Sequence, residues 1–157
     1  MIFVGVDWAE AHHDICVLDE TGGVLARKRI PDTLLGVRAL HELLGAHAEE
    51  PEDVIVGIEK DRGLLVTSML GARYRVYAIN PMSAARYRER HVTSGSKSDP
   101  GDAKVLADLV RTDRHNHREA AGDSENAEAL KVLARAHQGA IWSRHREVNV
   151  LRNARRP

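Results

Sequence analysis

The chain has 157 residues, a formal net charge of zero and 43% hydrophobic residues, enough for one good core with some length left over. A balanced charge gives no global field that announces nucleic acid, and no stretch approaches the roughly 18 apolar residues of a membrane span. The single Cys16 excludes an internal disulfide, and its apolar surroundings predict a buried, inert thiol in a reducing compartment.

Ile2-Phe3-Val4-Gly5-Val6-Asp7 reads as a continuous apolar strand. Asp7 interrupts that run at once, so it does not read as a signal peptide, and the protein is expected in the cytoplasm. Asp14 to Leu18 is a second strand, Asp19-Glu20-Thr21-Gly22-Gly23 a turn, and Val24 to Ile30 a third strand. Short connections predict an antiparallel meander, which Pro31 ends. Asp32 or Thr33 then caps a helix with Leu34, Val37, Leu40, Leu43 and Leu44 on one face. Val54 to Ile58 is a buried strand, Leu64 to Leu70 a short helix ended near Gly71, and Tyr74 to Ile79 a fifth strand. Asn80-Pro81 starts a helix that carries Arg86, Arg88 and Arg90. His91 to Ser98 is a polar loop, and Asp99-Pro100 starts a helix to about Arg111 with Val105, Leu106, Leu109 and Val110 inward.

The order is βββαβαβα. A meander feeding parallel crossover units gives an α/β fold, a mixed sheet with helices on its faces. That is the arrangement of the ribonuclease H-like fold. Residues 1–113 are expected to form this domain, 114–124 a polar linker, and 125–157 a helical, coiled-coil extension. In the extension Ala127, Ala134, Ile141 and Val148 repeat every seven residues, as do Leu130, His137, Arg144 and Leu151. The second row is half polar, so the seam fits a coiled coil of limited stability, or a helix that packs on a part of the protein beyond this sequence. From Arg135 to Pro157 six Arg face one acid, Glu147, and over the chain Arg outnumbers Lys 18 to 5. Arg suits bidentate phosphate contacts, although codon bias gives the same excess.

Four carboxylates carry the chemistry. Asp7 leaves the first strand at its C-terminal end, and Glu59 leaves the fourth at its own. If the two strands are parallel neighbours, these acids lie side by side. Asp99 and Asp102 are three apart and share a helix face. Helix-start chemistry alone explains that pair, with Asp99 as N-cap, Pro100 in the first helical position and Asp102 favoured by the helix dipole. The combination with Asp7 and Glu59 turns them toward a metal. Clustered carboxylates are costly unless a cation neutralises them, and hard divalent ions held there would orient water and stabilise both oxygens of a phosphodiester. Asp61 competes with Glu59 if the strand continues, because period-two spacing puts both on one side. Lys60 or Arg62 would partly neutralise either.

Other residues carry less. His12-His13 and His115-Asn116-His117 have no Cys or His partner at zinc spacing and are expected at the surface. Trp8 and Trp142 are expected to pack. Arg86, Arg88 and Arg90 face either solvent or a phosphate backbone.

Together, Gly5-Val6-Asp7-Trp8-Ala9, Gly57-Ile58-Glu59, Ile79-Asn80-Pro81 and Lys97-Ser98-Asp99-Pro100-Gly101-Asp102-Ala103 resemble the N-terminal domain of DEDD-type insertion-sequence transposases. This is the IS110 group, related to the Piv-type DNA invertases. The resemblance covers about residues 2–111, and more loosely the helix to 157. It implies a domain similar to the RuvC Holliday-junction resolvase, with Asp7, Glu59, Asp99 and Asp102 catalytic and binding Mg2+ or Mn2+. It implies DNA as substrate, a structured guide (bridge) RNA for some members, and assembly as a homo-oligomer through the coiled-coil segment. Arg86, Arg88, Arg90, Lys97, Arg144 and Arg152 are the candidate nucleic-acid contacts. Two departures stand out. Lys60-Asp61-Arg62-Gly63 replaces the small residues that often follow the family's glutamate. The family's second domain, with a serine used in strand exchange, is absent, so the sequence is expected to be part of a longer protein. A stand-alone junction nuclease and a non-enzymatic nucleic-acid or oligomerisation module are the alternatives. An actin-like ATPase lacks support, because no Gly-rich phosphate loop follows Asp7.

Overall fold

The apolar run that opens the chain becomes the middle of a sheet. In the computed structural model, which describes residues 1–91, 99–120 and 125–154, with the backbone alone at 99, 100, 125–132, 149, 153 and 154, β1 is Ile2–Trp8. Strands β2 (His12–Leu18) and β3 (Val24–Pro31) fold back on it as the expected meander. Strand β4 (Val54–Ile58) pairs parallel to β1 on its other side, and β5 (Arg75–Ala78) pairs parallel to β4. A two-residue strand β6 (Arg118–Glu119) completes the order β3-β2-β1-β4-β5-β6. The mixed six-stranded sheet has helices on both faces and a long C-terminal helix, as the ribonuclease H-like reading requires.

Burial on both faces follows from the near-continuous hydrophobicity of β1 and β4. One core joins Ile2, Val4, Val6, Val54, Val56 and Ile58 to helices α1 (Leu34–Gly45), α2 (Leu64–Gly71) and α5 (Glu125–Ala154). The other joins Phe3, Cys16, Leu18 and Ile55 to helices α3 (Pro81–His91) and α4 (Asp99–Thr112). Cys16 is fully buried, and burial pushes its thiol pKa up, so it is the inert side chain expected.

Of the two candidate caps on α1, Thr33 is the one used. It has extended backbone, and its hydroxyl accepts from the Gly36 N–H at 3.3 Å. Asp32 faces His13 instead, at 3.2 Å. Thr33→Ala is therefore expected to cost about 1 kcal/mol in urea unfolding, the ordinary worth of a side-chain N-cap.

Three observations differ from the sequence reading. Two of the histidines are not at the surface: His13 is buried beneath Trp8, at 6.1 Å between ring centroids, and paired with Asp32, and the His117 side chain is only 6% exposed. Within 114–124, a 3-10 turn Arg114–Asn116 leads into β6, which joins the sheet through backbone pairing with Tyr77 and Ala78. Finally, α5 packs on this domain. Gln138, Ile141 and Trp142 are buried on the α1 and α2 side, while Leu133, Val150 and Leu151 are exposed. Ile141 and Leu151, each in one of the seven-residue rows, thus face different surroundings, and the side chains of Ala127 and Leu130 lie outside the described residues. No helix among the described residues is long and apolar enough to cross a membrane.

Candidate functional site

Two glycines set the geometry. Gly5 of β1 and Gly57 of β4 are direct neighbours in the parallel register. A Cβ on Gly5 would lie 1.8 Å from the Ala103 carbonyl oxygen, and one on Gly57 would lie 2.7 Å from that of Leu106. Helix α4 thus rests on bare strand backbone, and no side chain could be accommodated between. Its direction is fixed by its far end, where Arg111 reaches Gly22 and Arg114 lies over the Phe3 ring. Phe3 pairs with Leu18 at the start of β1, so the N-terminus of α4 lies at the C-terminal ends of β1 and β4.

The acids follow from this seating. Asp7 and Glu59 come directly after the paired residues Val6 and Ile58, two positions beyond the glycines, or roughly 6.6 Å along a strand. Asp99 and Asp102 come one turn before Ala103 and Leu106, about 5.4 Å along a helix. Strand ends and helix start therefore bring the four positions to one edge of the sheet. Asp7 continues the strand alternation on the α4 side and is half-buried, while Glu59 is exposed in the bend after β4.

A fifth carboxylate lies next to them. Asp14 lies directly opposite Asp7 on β2. Arg29 of β3 grips it through Nε at 2.8 Å and Nη2 at 2.7 Å, and this hydrogen bonding holds the Asp14 carboxyl below the usual range. Nothing in either strand alone revealed this neighbour, because it depends on the cross-strand register.

Asp102 also has a cation. Arg88 Nη2 of α3 lies 2.6 Å from its Oδ1, with both side chains partly buried. Arg86 and Arg90 are exposed. Residues two apart on a helix diverge by about 200°, so the three arginines do not form one row. Arg144 and Arg152 are exposed on α5, which packs on the opposite face of the sheet from α4, and Arg144 is 3.8 Å from Glu42. The structure does not bring them to the acids. Lys97 and the side chain of Asp99 lie outside the described residues. The Lys60 ammonium lies over the Trp8 ring at 2.9 Å from its centroid, beside the two strand-end acids. Asp61 is turned to Arg118, which removes it as a competitor of Glu59.

The donor set consists of carboxylate oxygens, the chemistry of a hard divalent ion, and the backbone gathers it at one edge. The donor type thus fits Mg2+ or Mn2+. Among the described residues, no three His, Cys, Asp or Glu side chains form a group that could hold a metal ion, and Asp102 is turned to a guanidinium.

Comparison with known proteins identifies relatives of this chain. A profile of the IS110-type DEDD transposases, described as transposase, matches residues 4–154. A Streptomyces coelicolor protein named as a mini-circle transposase for IS117 is 49% identical over 153 residues, covering 97% of this chain and 37% of its own length. A Sinorhizobium fredii protein named as transposase y4uE is 29% identical over 152 residues, covering 96% of this chain and 42% of its own length. The chain thus spans about two fifths of the length of these relatives.

Proposed function

The chain belongs to the IS110-type DEDD transposase family, and from that premise we propose that it is the metal-binding N-terminal domain, with an acidic tetrad, of a longer DNA transposase that acts on DNA phosphodiesters. The observation that carries this reading is the seating of α4 on Gly5 and Gly57, which brings Asp7, Glu59, Asp99 and Asp102 to one edge of the sheet. These four residues would hold Mg2+ or Mn2+, which supplies charge neutralisation at a phosphodiester and a more acidic bound water.

The protein's own residues do the rest. Parallel strands fix the spacing of Asp7 and Glu59, and the close helix–sheet contact fixes how far Asp99 and Asp102 stand above them. Asp14 is kept apart by its bidentate bond to Arg29, so it orients β2 against β3 rather than adding charge to the site. Arg86 and Arg90 are exposed on α3, the helix that packs on α4, and would offer guanidinium groups to backbone phosphates. Lys60, lying on Trp8, places another cation at the rim. DNA is the proposed substrate. A structured guide RNA and further copies of the chain are proposed partners, with the arginines of α3 and α5 as contacts.

Calorimetric titration of Mn2+ into the chain with a branched DNA present tests the reading. Asp7→Asn is expected to weaken Mn2+ binding by about 10- to 100-fold, at least the scale seen when support of a metal ligand is lost. Absence of any Mn2+ binding by the unsubstituted chain with DNA present would overturn the assignment.

A further inference from the structure

We propose that Arg88 holds the cation position at Asp102 and releases it when a nucleic-acid phosphate takes the guanidinium, so that divalent-ion loading is coupled to nucleic-acid binding. The inference rests on the metal-binding reading above. Its first support is the 2.6 Å contact between Arg88 Nη2 and Asp102 Oδ1. The two side chains are only 34% and 22% exposed, so water screens the pair less than a surface pair. A guanidinium and a divalent ion on the same carboxylate repel each other, so the pairing of Asp102 with Arg88 weakens ion binding there.

The second support is what Arg88 lacks. Its Nε is buried and has no hydrogen-bond partner among the described residues. A guanidinium favours two parallel bonds to one planar or tetrahedral anion, and here one of its inner donors is left unmet. A buried donor without an acceptor is costly, more so on a charged group. The present arrangement therefore leaves Arg88 incompletely satisfied. A phosphate oxygen would meet the missing acceptor and draw Arg88 away from Asp102.

The third support is position. Arg88 lies on α3, which packs on α4 through Ala84 and Tyr87 in the shared core. Exposed Arg86 and Arg90 flank it in sequence. A phosphate backbone approaching those two arginines reaches the same helix that carries the restraint.

The test compares Mn2+ affinity of the chain with that of Arg88→Gln and Arg88→Lys, each with and without a short single-stranded DNA. Without DNA, Arg88→Gln is expected to bind Mn2+ about tenfold tighter than the unsubstituted chain, a change equal to one unit in a logarithmic binding constant. Arg88→Lys, which keeps the charge, is expected to stay near the unsubstituted value. With DNA, the gap between Arg88→Gln and the unsubstituted chain is expected to close. Equal or weaker binding by Arg88→Gln without DNA, while Asp102→Asn still weakens the unsubstituted chain, overturns the Arg88 proposal and leaves the metal site standing. Loss of Mn2+ binding in every form, with DNA present, overturns both. A readout free of substitution is the Arg88 Nε–Hε nuclear resonance. It is expected to shift when Mg2+ and DNA are added together, and its constancy while Mg2+ binds also overturns the proposal.

Discussion

Gly5→Ala is expected to destabilise the chain by about 3 kcal/mol, at the upper end of overpacking changes. The added methyl would lie 1.8 Å from the Ala103 carbonyl oxygen and 2.6 Å from the Ala107 nitrogen. Both are helix backbone, so no side-chain rotation relieves the clash, and α4 itself must lift. The displaced helix carries Asp99 and Asp102, so the substitution is expected to weaken Mn2+ binding as well as folding. Gly139→Ala is the matched control. Gly139 is exposed in α5, with nothing within 4 Å of a new Cβ, and alanine there is expected to add about 0.5–1 kcal/mol. Urea unfolding of the two variants reads both values. A Gly5→Ala loss below about 1 kcal/mol would mean that α4 is not held on the strand as described.

Acid is expected to remove roughly 3 kcal/mol of stability through His41. Burial first, and then the neighbouring His137, lower its pKa from 6.5 to about 4. In the unfolded chain the imidazole takes a proton near its ordinary value. Below that pH the unfolded state binds more protons than the folded state, so stability falls as pH drops through 6.5 toward about 4 and levels off beneath. The cause is local. His41 is 1% exposed on α1, its Nδ1 lies 2.9 Å from the Tyr74 hydroxyl, and its Nε2 is buried without a partner among the described residues. His137 of α5 approaches ring-edge to ring at 6.4 Å, so a proton on His41 also meets a second imidazole. Burial pushes the Tyr74 hydroxyl upward, and it stays neutral throughout. Thermal unfolding across this pH window measures the effect. His41→Phe keeps a ring in the cavity and removes the titration. It is expected to flatten the pH dependence, at a cost near 1 kcal/mol at neutral pH for the lost hydrogen bond to Tyr74. An unchanged slope in that variant would assign the acid sensitivity to another group.

Apolar runs made the fold legible. Val4 and Val56 stand in stretches with no polar alternative, and a carboxylate that ends such a stretch, like Asp7 or Glu59, is conspicuous. What escaped depends on relations between segments. Strand β6 is Arg118–Glu119, two charged residues held by backbone bonds to β5, and no side-chain pattern marks it. Asp14 is an ordinary strand residue until the β1–β2 register sets it against Asp7. His13 is polar by type and buried by position, because Asp32, beyond the end of β3, reaches it. The seven-residue rows in α5 obscured its inward face, where Gln138, Ile141 and Trp142 follow the three-four spacing of a helix laid on a domain. Arg88 looked like one of three equivalent arginines, and only the packing of α3 on α4 turned it to Asp102.

The order of strands also limits how copies of this chain can meet. An open sheet invites another chain to continue it along an unpaired margin. Here one margin is β3, which displays Arg27, Lys28 and Arg29 and closes on Pro31, and the other is the two-residue β6. Positive charge and a missing amide donor discourage continuation at the first, and shortness discourages it at the second. Growth by strand addition is disfavoured at both margins, whereas helical surfaces, such as the exposed Leu133, Val150 and Leu151 of α5, carry no such deterrent.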